Sequence, residues 1–322
     1  MTWRLLLGCV TLLALVHTAS AQTWPSKPVR LVIAYSAGGS GDIVARALAQ
    51  KMSEAWGEPV IVENRPGATG SIGTTYVAKA AADGYTVLLG SDVEFAVSPA
   101  AGVKLPFDPE KDFDPVSLVA LLQLVLVASP SLPANNLTEL IALAKSQGGR
   151  INYASTGLGS TSQLSIELLK KRGGFDLVHV PYKGGGQALP DLISGQVQVM
   201  QLGLPQSLPH LRAGRLKALA VAAASRLPAL PDVPTVAEQG FPGYSVNNSW
   251  SLFVPAGTPH AVVARIQSET VRILSLPDVR ERFIQSGLDP VGSAPEDLAA
   301  RMREDRAKWT QVIHDAGIRF EQ

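Results

Sequence analysis

Between residues 29 and 255, short apolar, β-branched runs alternate with amphipathic stretches of helical period, and few architectures accommodate that pattern. The strand-like runs are VRLVIAY (29–35), VIVEN (60–64), YTVLLG (85–90), LVLVAS (124–129), INYAS (151–155), LVHVPY (177–182), VQVMQL (197–202), LKALAVAA (216–223) and WSLFVP (250–255). Several are apolar on both faces, as in a sheet covered by helices above and below. Helices are predicted between them at 42–56, 71–81, 137–147, 161–172, 186–194 and 206–213. Such alternation predicts parallel α/β sheets joined by right-handed crossovers. After residue 255 the pattern turns helical to the end. Thr258-Pro259 is predicted to open one helix as N-cap and first-turn proline, and Ser293 with Glu296 to form a capping box for the last.

The first 21 residues read as a secretory leader rather than as part of the fold. MTWR is basic, Leu5 to Val16 is apolar, and Ala19-Ser20-Ala21 is an A-x-A site, so cleavage is expected before Gln22. The apolar run is too short for a bilayer, which needs about 20 residues. A lipid anchor on Cys9 is disfavoured because most of the apolar run follows it. Removing the leader takes away Arg4 and the only cysteine, so 28 − 1 = 27 basic residues face 27 acidic ones. Zero net charge without a basic block argues against nucleic acid as a partner. The lack of disulfides is compatible with an oxidising compartment, and the length suffices for an unstapled core and for two domains. An exported, soluble, periplasmic protein is expected.

Two extended, proline-flanked stretches, 114–133 and 244–259, look like crossings between lobes. They divide the chain into a discontinuous first lobe, 24–122 plus 254–322, and a second lobe, 123–253. The crossings themselves are placed at about 122–129 and 250–255.

Four loops repeat one chemistry. YSAGGSGD follows the first strand, RPGATGSIG (65–73) the second, STGLGSTSQ (155–163) the fifth and KGGGQA (183–188) the sixth. Each sets glycines and hydroxyls at a strand's carboxyl end, just before a helix begins, where unpaired N–H groups carry partial positive charge. Glycine allows close approach to that backbone, and in open α/β sheets this crevice is where ligands bind. Several such termini suit a small anion held without a charged clamp; ordinary turns and caps would look the same one at a time. GGSGDI is not G-x-G-x-x-G, because Val44 stands at the last glycine, and no P-loop, G-x-S-x-G, S-x-x-K or H-E-x-x-H occurs. His179, His210, His260 and His314 have no ligand spacing to one another, and His179 reads as structural. No catalytic residues, metal ligands or cofactors are assigned.

Asp42 could receive an ammonium or a water, or complement its own helix. Ser160 and Gln163 fit a capping box, and Lys183 could draw a carboxylate or be a solvated side chain. An inward Asp92 would repel a second carboxylate and favour an amine, amide or hydroxyl, whereas an outward one is a turn residue.

At these residues the chain resembles the substrate-binding proteins of tripartite tricarboxylate transporters, the Bug-type receptors. The matching stretches include WPSKPVRLVI, GEPVIVENRPGATGSIG, AAADGYTVLLG, INYASTGLGSTSQL, DLVHVPYKGGGQALPDLISGQV and LPDVPTVAEQGFPGY, in order from residue 24 to about 260. The resemblance implies a two-lobed, type II-like periplasmic binding fold, each lobe a mostly parallel sheet flanked by helices, with the ligand cleft between them. It implies a small carboxylate (mono- or dicarboxylate, amino acid or amide-bearing) held by backbone amides, hydroxyls and waters. Carried over by motif, the contacts are Tyr35, Ala37, Gly39, Ser40, Asp42, Gly70, Ser71, Gly73, Ser91 and Asp92 from the first lobe. From the second they are Thr156, Gly157, Ser160, Thr161 and Gln201. The chain departs from the family at YSAGG, at Gly41 where threonine is common, at Gln163 where histidine is common, and at Gln198 and Gln201 near a usual aspartate. SDVEF also replaces a more neutral loop. The carboxylate-holding part is thus expected to be retained and the rest of the ligand site altered.

The function expected is a monomeric extracytoplasmic receptor that closes on its ligand and delivers it to membrane permease subunits or a sensor. A secreted hydrolase or isomerase using the same cleft is the rival from the enzyme class, opposed by the missing nucleophile–base pair, and a scaffold with an unused cleft is the third reading.

Overall fold

Strand β4 (Phe113–Ala128) belongs to two sheets at once. The structure, a computed structural model, describes residues 24–318, so the leader and its cleavage site lie outside the described residues. In the first sheet β1 (Val29–Ile33) runs parallel to β2 (Val60–Asn64) and β3 (Thr86–Ser91). Strand β9 (Asn247–Pro255) is antiparallel to both β3 and β4, and the short β10 (Leu288–Pro290) pairs with β4 on the other side. In the second sheet β5 (Asn152–Ser155) lies parallel between β6 (Val178–Pro181) and β7 (Val199–Gly203), while β7 and β8 (Lys217–Val221) pair antiparallel with β4. The exchange between sheets takes one peptide bond. Gln123 is the last β4 residue paired with β9, and Leu124 is the first paired with β7.

Most of the sequence-predicted strands and helices appear within a few residues of their expected ends. The first half of β4 is longer than its sequence suggests, because Pro115 and Ser117 interrupt the apolar run. A register shift between those two residues accommodates the proline's missing N–H. The second crossing, expected at 250–255, falls earlier. Val246 still donates to Ala222, and Asn247 already pairs with Gln123, so the polar start of β9 lies in the first sheet.

Helices α1 (Ser40–Trp56), α2 (Ser71–Ala78), α3 (Leu137–Gln147), α4 (Thr161–Gly173), α5 (Gly185–Ser194) and α6 (Leu204–Arg212) follow strands or loops as predicted. Helices α7 (His260–Ser275), α8 (Pro277–Gln285) and α9 (Pro295–Ala316) complete the chain. Two expected caps are absent. Helix α9 starts at Pro295, and Ser293 instead bonds Leu118 N and Ala294 O; Thr258 donates to Pro255 O ahead of α7. Helix α1 buries Val44, Leu48 and Met52 in one core cluster with Leu31 and Ile33 of β1. At about 1.5–3 kcal/mol for each large apolar side chain, such faces hold the helices on the sheet. On the opposite face Phe95 stacks on Phe253 at 3.7 Å, with Leu298 and Met302 of α9 in the same cluster.

Candidate functional site

The carboxyl ends of β1, β3, β5 and β7 meet around a cavity of about 60 Å³. Tyr35, Ser91, Thr156 and Gly203 mark those ends, and Leu122, Leu124, Asn248 and Trp250 of β4 and β9 close it. At about 15 Å³ for one water molecule, the space suits a small guest.

Helix starts supply much of the lining. Gly39, Ser40 and Gly41 begin α1, whose first intrahelical bond is made by Ile43 N to Gly39 O at 3.1 Å. The N–H groups of residues 40–42 therefore have no earlier carbonyl in the helix to bond, and no side chain caps α1. Thr161 and Ser162 begin α4, Gly185 begins α5 and Gln206 lies in the first turn of α6. None of the residues lining the cavity is Asp, Glu, Lys, Arg or His. What they offer an anion is neutral: amides, hydroxyls and the positive ends of helices.

Among the described residues, several buried polar atoms of this lining have no hydrogen-bond partner: both amide atoms of Gln201, Gln206 Nε2, Asn248 Oδ1 and Trp250 Nε1. Each unmade buried bond costs about 1–3 kcal/mol, so their convergence on one cavity is the mark of a site that a polar guest completes.

Of the residues assigned from sequence, Tyr35, Gly39, Ser40, Ser91, Thr156, Thr161 and Gln201 line this cavity. The others lie off it. Ala37 is exposed, its carbonyl against Gly186. Asp42 accepts from Gly38 N at 3.1 Å, Asn64 Nδ2 at 3.1 Å and Arg46 Nε at 2.9 Å, which ties down the loop ahead of α1. Burial opposes its charge, but the bonds from Arg46, Gly38 and Asn64 together prevail and hold its carboxyl below the ordinary range. Gly73 packs on the backbone just past β1 and β2: a Cβ there would lie 2.8 Å from Ala34 Cα and Arg65 O. Gly70 precedes α2 beside the Glu94 carboxyl and Ser71 begins that helix; neither lines the cavity. Gly157 abuts Thr69, and Ser160 caps α4 by accepting from Gln163 N at 3.3 Å. Asp92 accepts from Ser249 N at 3.3 Å; burial, then Asp305 of α9, pushes its carboxyl well up. Lys183 is exposed. His179 sits between Ser155 Oγ, 2.6 Å from Nε2, and the Gln163 amide, stacked on Tyr153.

Sequence reasoning missed Gln206, Asn248 and Trp250. They stand within a helix or a strand rather than in a glycine loop, and only the fold brings them together. Gly41 was noticed as a departure, and Trp250 explains it: a Cβ on Gly41 would lie 2.5 Å from the indole Cη2.

Segments attached to the two sheets also bond each other directly. Thr69 Oγ1 donates to Leu158 O at 2.9 Å, and Asn248 Nδ2 reaches Thr161 Oγ1 at 3.5 Å. Thr69 and Ala68 hold left-handed φ values of 51° and 45°, a conformation that costs non-glycine residues about 1–3 kcal/mol and has to be held in place by its surroundings. Gly184, at φ 151°, lies against Ser36, where a Cβ would be 2.6 Å from the hydroxyl oxygen.

One wall has a buried acid behind it. Ser91 Oγ donates to Glu94 Oε2 at 2.6 Å, Ser91 N donates to the same oxygen at 3.0 Å, and Tyr35 Oη lies 3.3 Å from Ser91 Oγ. Glu94 is fully buried, and burial pushes its carboxyl up to about 7 against the lowering effect of those bonds. Burial, then the charge of Glu94, raises the Tyr35 phenol well above its ordinary value.

Two sheets sharing one strand, with a polar cavity at their opposed strand ends, define a solute-binding fold of the periplasmic type. Residues 44–318 match the tripartite tricarboxylate transporter family receptor, TctC, and the chain belongs to that family, one of solute-binding receptors. It is 35% identical over 302 residues to BugT of Bordetella pertussis, which covers 94% of this chain and 93% of BugT. A solved Rhodopseudomonas palustris protein, Rpa4515 with adipate, superposes with a TM-score of 0.89 at 35% identity, covering 92% of this chain and 99% of that one. MatC from the same organism, with bound malate, superposes at 0.85 with 36% identity, covering 90% and 100%. Among the described residues, no helix is long and apolar enough to cross a membrane.

Proposed function

We propose that this chain is an extracytoplasmic receptor that encloses a small organic carboxylate between two lobes, releases it chemically unchanged, and hands it to membrane permease subunits or a sensor. The observation that carries this reading is the convergence of unpaired buried donors, Gln201 Nε2, Gln206 Nε2 and Trp250 Nε1, with the starts of α1 and α4 on a cavity free of ionised side chains. Neutral donors in a low-dielectric pocket stabilise a carboxylate without the desolvation cost of a buried cation. The lobes are the halves built on the two sheets, and they move by flexing at Gln123–Leu124 and Val246–Asn247. Ligand favours the closed arrangement through its greater affinity for it, because residues from both halves must surround it at once. The carboxylates named for Rpa4515 and MatC are consistent with this chemistry.

The test is a thermal-shift and calorimetric screen of the exported form against mono-, di- and tricarboxylates and amino acids, after native mass spectrometry of freshly purified protein. Free ligand at 100 times its Kd is expected to stabilise by about 2.7 kcal/mol. Replacing Thr161 or Gln201 with a bulkier residue abolishes that shift. The reading fails if no small acid stabilises the protein, or if those variants respond as the parent does.

A further inference from the structure

The cavity has two chemically different sides. On one, Gln201, Gln206 and Trp250 carry N–H groups without partners, beside the unpaired oxygens of Gln201 and Asn248; on the other, the hydroxyls of Tyr35 and Ser91 form a chain that ends on Glu94. Ser91 has one proton, committed to Glu94 Oε2 at 2.6 Å, and its oxygen also accepts from Val93 N at 3.2 Å. The remaining lone pair of Ser91 is satisfied by the Tyr35 proton, which points the Tyr35 hydroxyl away from the cavity as a donor and leaves its oxygen facing in as an acceptor. The second oxygen of Glu94, Oε1, lies against Gly70 at the beginning of α2, where among the described residues it has no hydrogen-bond partner. An internal carboxylate therefore stands at the one helix start, among those expected to hold a ligand anion, that does not reach the cavity.

We propose that Glu94, acting through Ser91 and Tyr35, makes this wall an acceptor surface, so that the receptor selects a monocarboxylate whose other end is a hydrogen-bond donor (hydroxyl, amide or ammonium) over a dicarboxylate. The proposal rests on the carboxylate reading above. A second ligand carboxylate set against Tyr35 and Ser91 meets oxygens whose protons are already committed, with a like charge behind them. An amide or hydroxyl of the same shape gives the Tyr35 oxygen the proton it lacks. Glu94 is a positioning residue here, since it does not itself line the cavity.

The same geometry makes the selection depend on pH. Protonated Glu94 needs no donor from Ser91 and can itself donate to Ser91 Oγ, which frees the Tyr35 proton for the cavity. The charged and titratable groups around this carboxyl are Tyr35 from the loop after β1, Asp92 from the same turn, and Arg301 and Asp305 from α9, which act on Asp92. With Glu94 titrating at about 7, acceptor character is complete above that pH and fades below it.

Isosteric pairs, malonamate with malonate and succinamate with succinate, are titrated calorimetrically into the parent, Glu94→Gln, Ser91→Ala and Tyr35→Phe. At about pH 8.5 the parent is expected to bind the amide at least tenfold more tightly than the matched diacid, a preference that shrinks several-fold at about pH 6.5. Glu94→Gln is expected to lose both the preference and its pH dependence, and Glu94→Asp to regain part of each. Tyr35→Phe, which leaves the buried acid in place, loses the preference as well, and it decides the matter if Glu94→Gln does not fold. Equal affinity of the parent for amide and diacid at the higher pH, or an undiminished preference in Tyr35→Phe, overturns the proposal while the carboxylate reading stands. Failure of the parent to bind any carboxylate in the wider screen overturns both.

Discussion

The six-membered ring of the Trp250 indole lies directly over Gly41: a Cβ on that glycine would be 2.5 Å from Cη2 and 2.8 Å from Cζ2 and Cζ3. The second residue of α1 thus has no side chain because an aromatic from β9 occupies the space. Trp250 in turn meets Tyr35 edge-on at 5.7 Å, so the acceptor wall and the floor of the cavity brace each other. Gly41→Ala is expected to overpack this contact, destabilising by about 1–3 kcal/mol and abolishing ligand response. The double variant Gly41→Ala/Trp250→Phe, whose shorter ring withdraws from Gly41, recovers most of the stability. Urea midpoints of the four proteins in the cycle measure it; additive losses would refute the contact.

Thr69 offers a separate handle on the proposed closure. Its hydroxyl bonds Leu158 O, and neither residue lines the cavity. On the proposed closure, Thr69→Val removes that bond, worth about 1 kcal/mol, from the closed arrangement only. Ligand affinity is expected to fall about fivefold, with little change in the melting temperature of the ligand-free protein. Calorimetric titration beside a thermal melt reads both quantities. A large drop in melting temperature would mean that the loop supports the fold rather than the closed form.

Glu94 also sets how stability varies with pH. Its carboxyl is raised from 4.5 to about 7 in the folded protein, so the native state retains a proton that the unfolded chain has lost. Stability from this group is therefore fullest below about pH 4.5, declines as pH rises through 7, and levels off beyond, the reverse of a carboxylate in an ion pair. Glu94→Gln is expected to match the parent near pH 4.5 and to exceed it by up to about 3 kcal/mol near pH 8. Urea unfolding at the two pH values checks this, and an advantage that is equal at both would rule it out.

Gly73 separates a packing glycine from a binding one. A Cβ there would be 2.8 Å from backbone atoms of Ala34 and Arg65, which cannot move as a side-chain end can. Gly73→Ala is expected to cost about 1–3 kcal/mol of stability while the folded fraction binds ligand with parental Kd. A selective loss of affinity would return Gly73 to the site.

Much of this molecule was legible in its pattern. Alternating strands and helices follow from burial on both sheet faces, and glycine-and-hydroxyl loops at strand ends located Tyr35, Gly39, Ser40, Thr156 and Thr161 at the cavity. At RPGATGSIG the same loop signature marks a helix start that lies against the Glu94 carboxyl and off the cavity, which in sequence looks like one that faces a ligand. SDVEF was legible as a departure, but not which of its two acids backs the wall. In SDVEF it is Glu94 that connects to the wall, whereas Asp92 turns toward Ser249 and α9, a choice made by the π-helical turn at Val93–Val97 and invisible to spacing. Gln206, Asn248 and Trp250 had no local signal at all. Their roles arise where β9 and α6, far apart in the chain, arrive at the same place.

The long β4 strand has a consequence for how the protein comes apart. Peeling either sheet away would strip one end of β4 of its partners and leave a bare, apolar strand edge exposed to other chains. The halves are therefore expected to melt together in one calorimetric peak, and a chain severed between Gln123 and Leu124 to yield two sticky fragments rather than two autonomous domains.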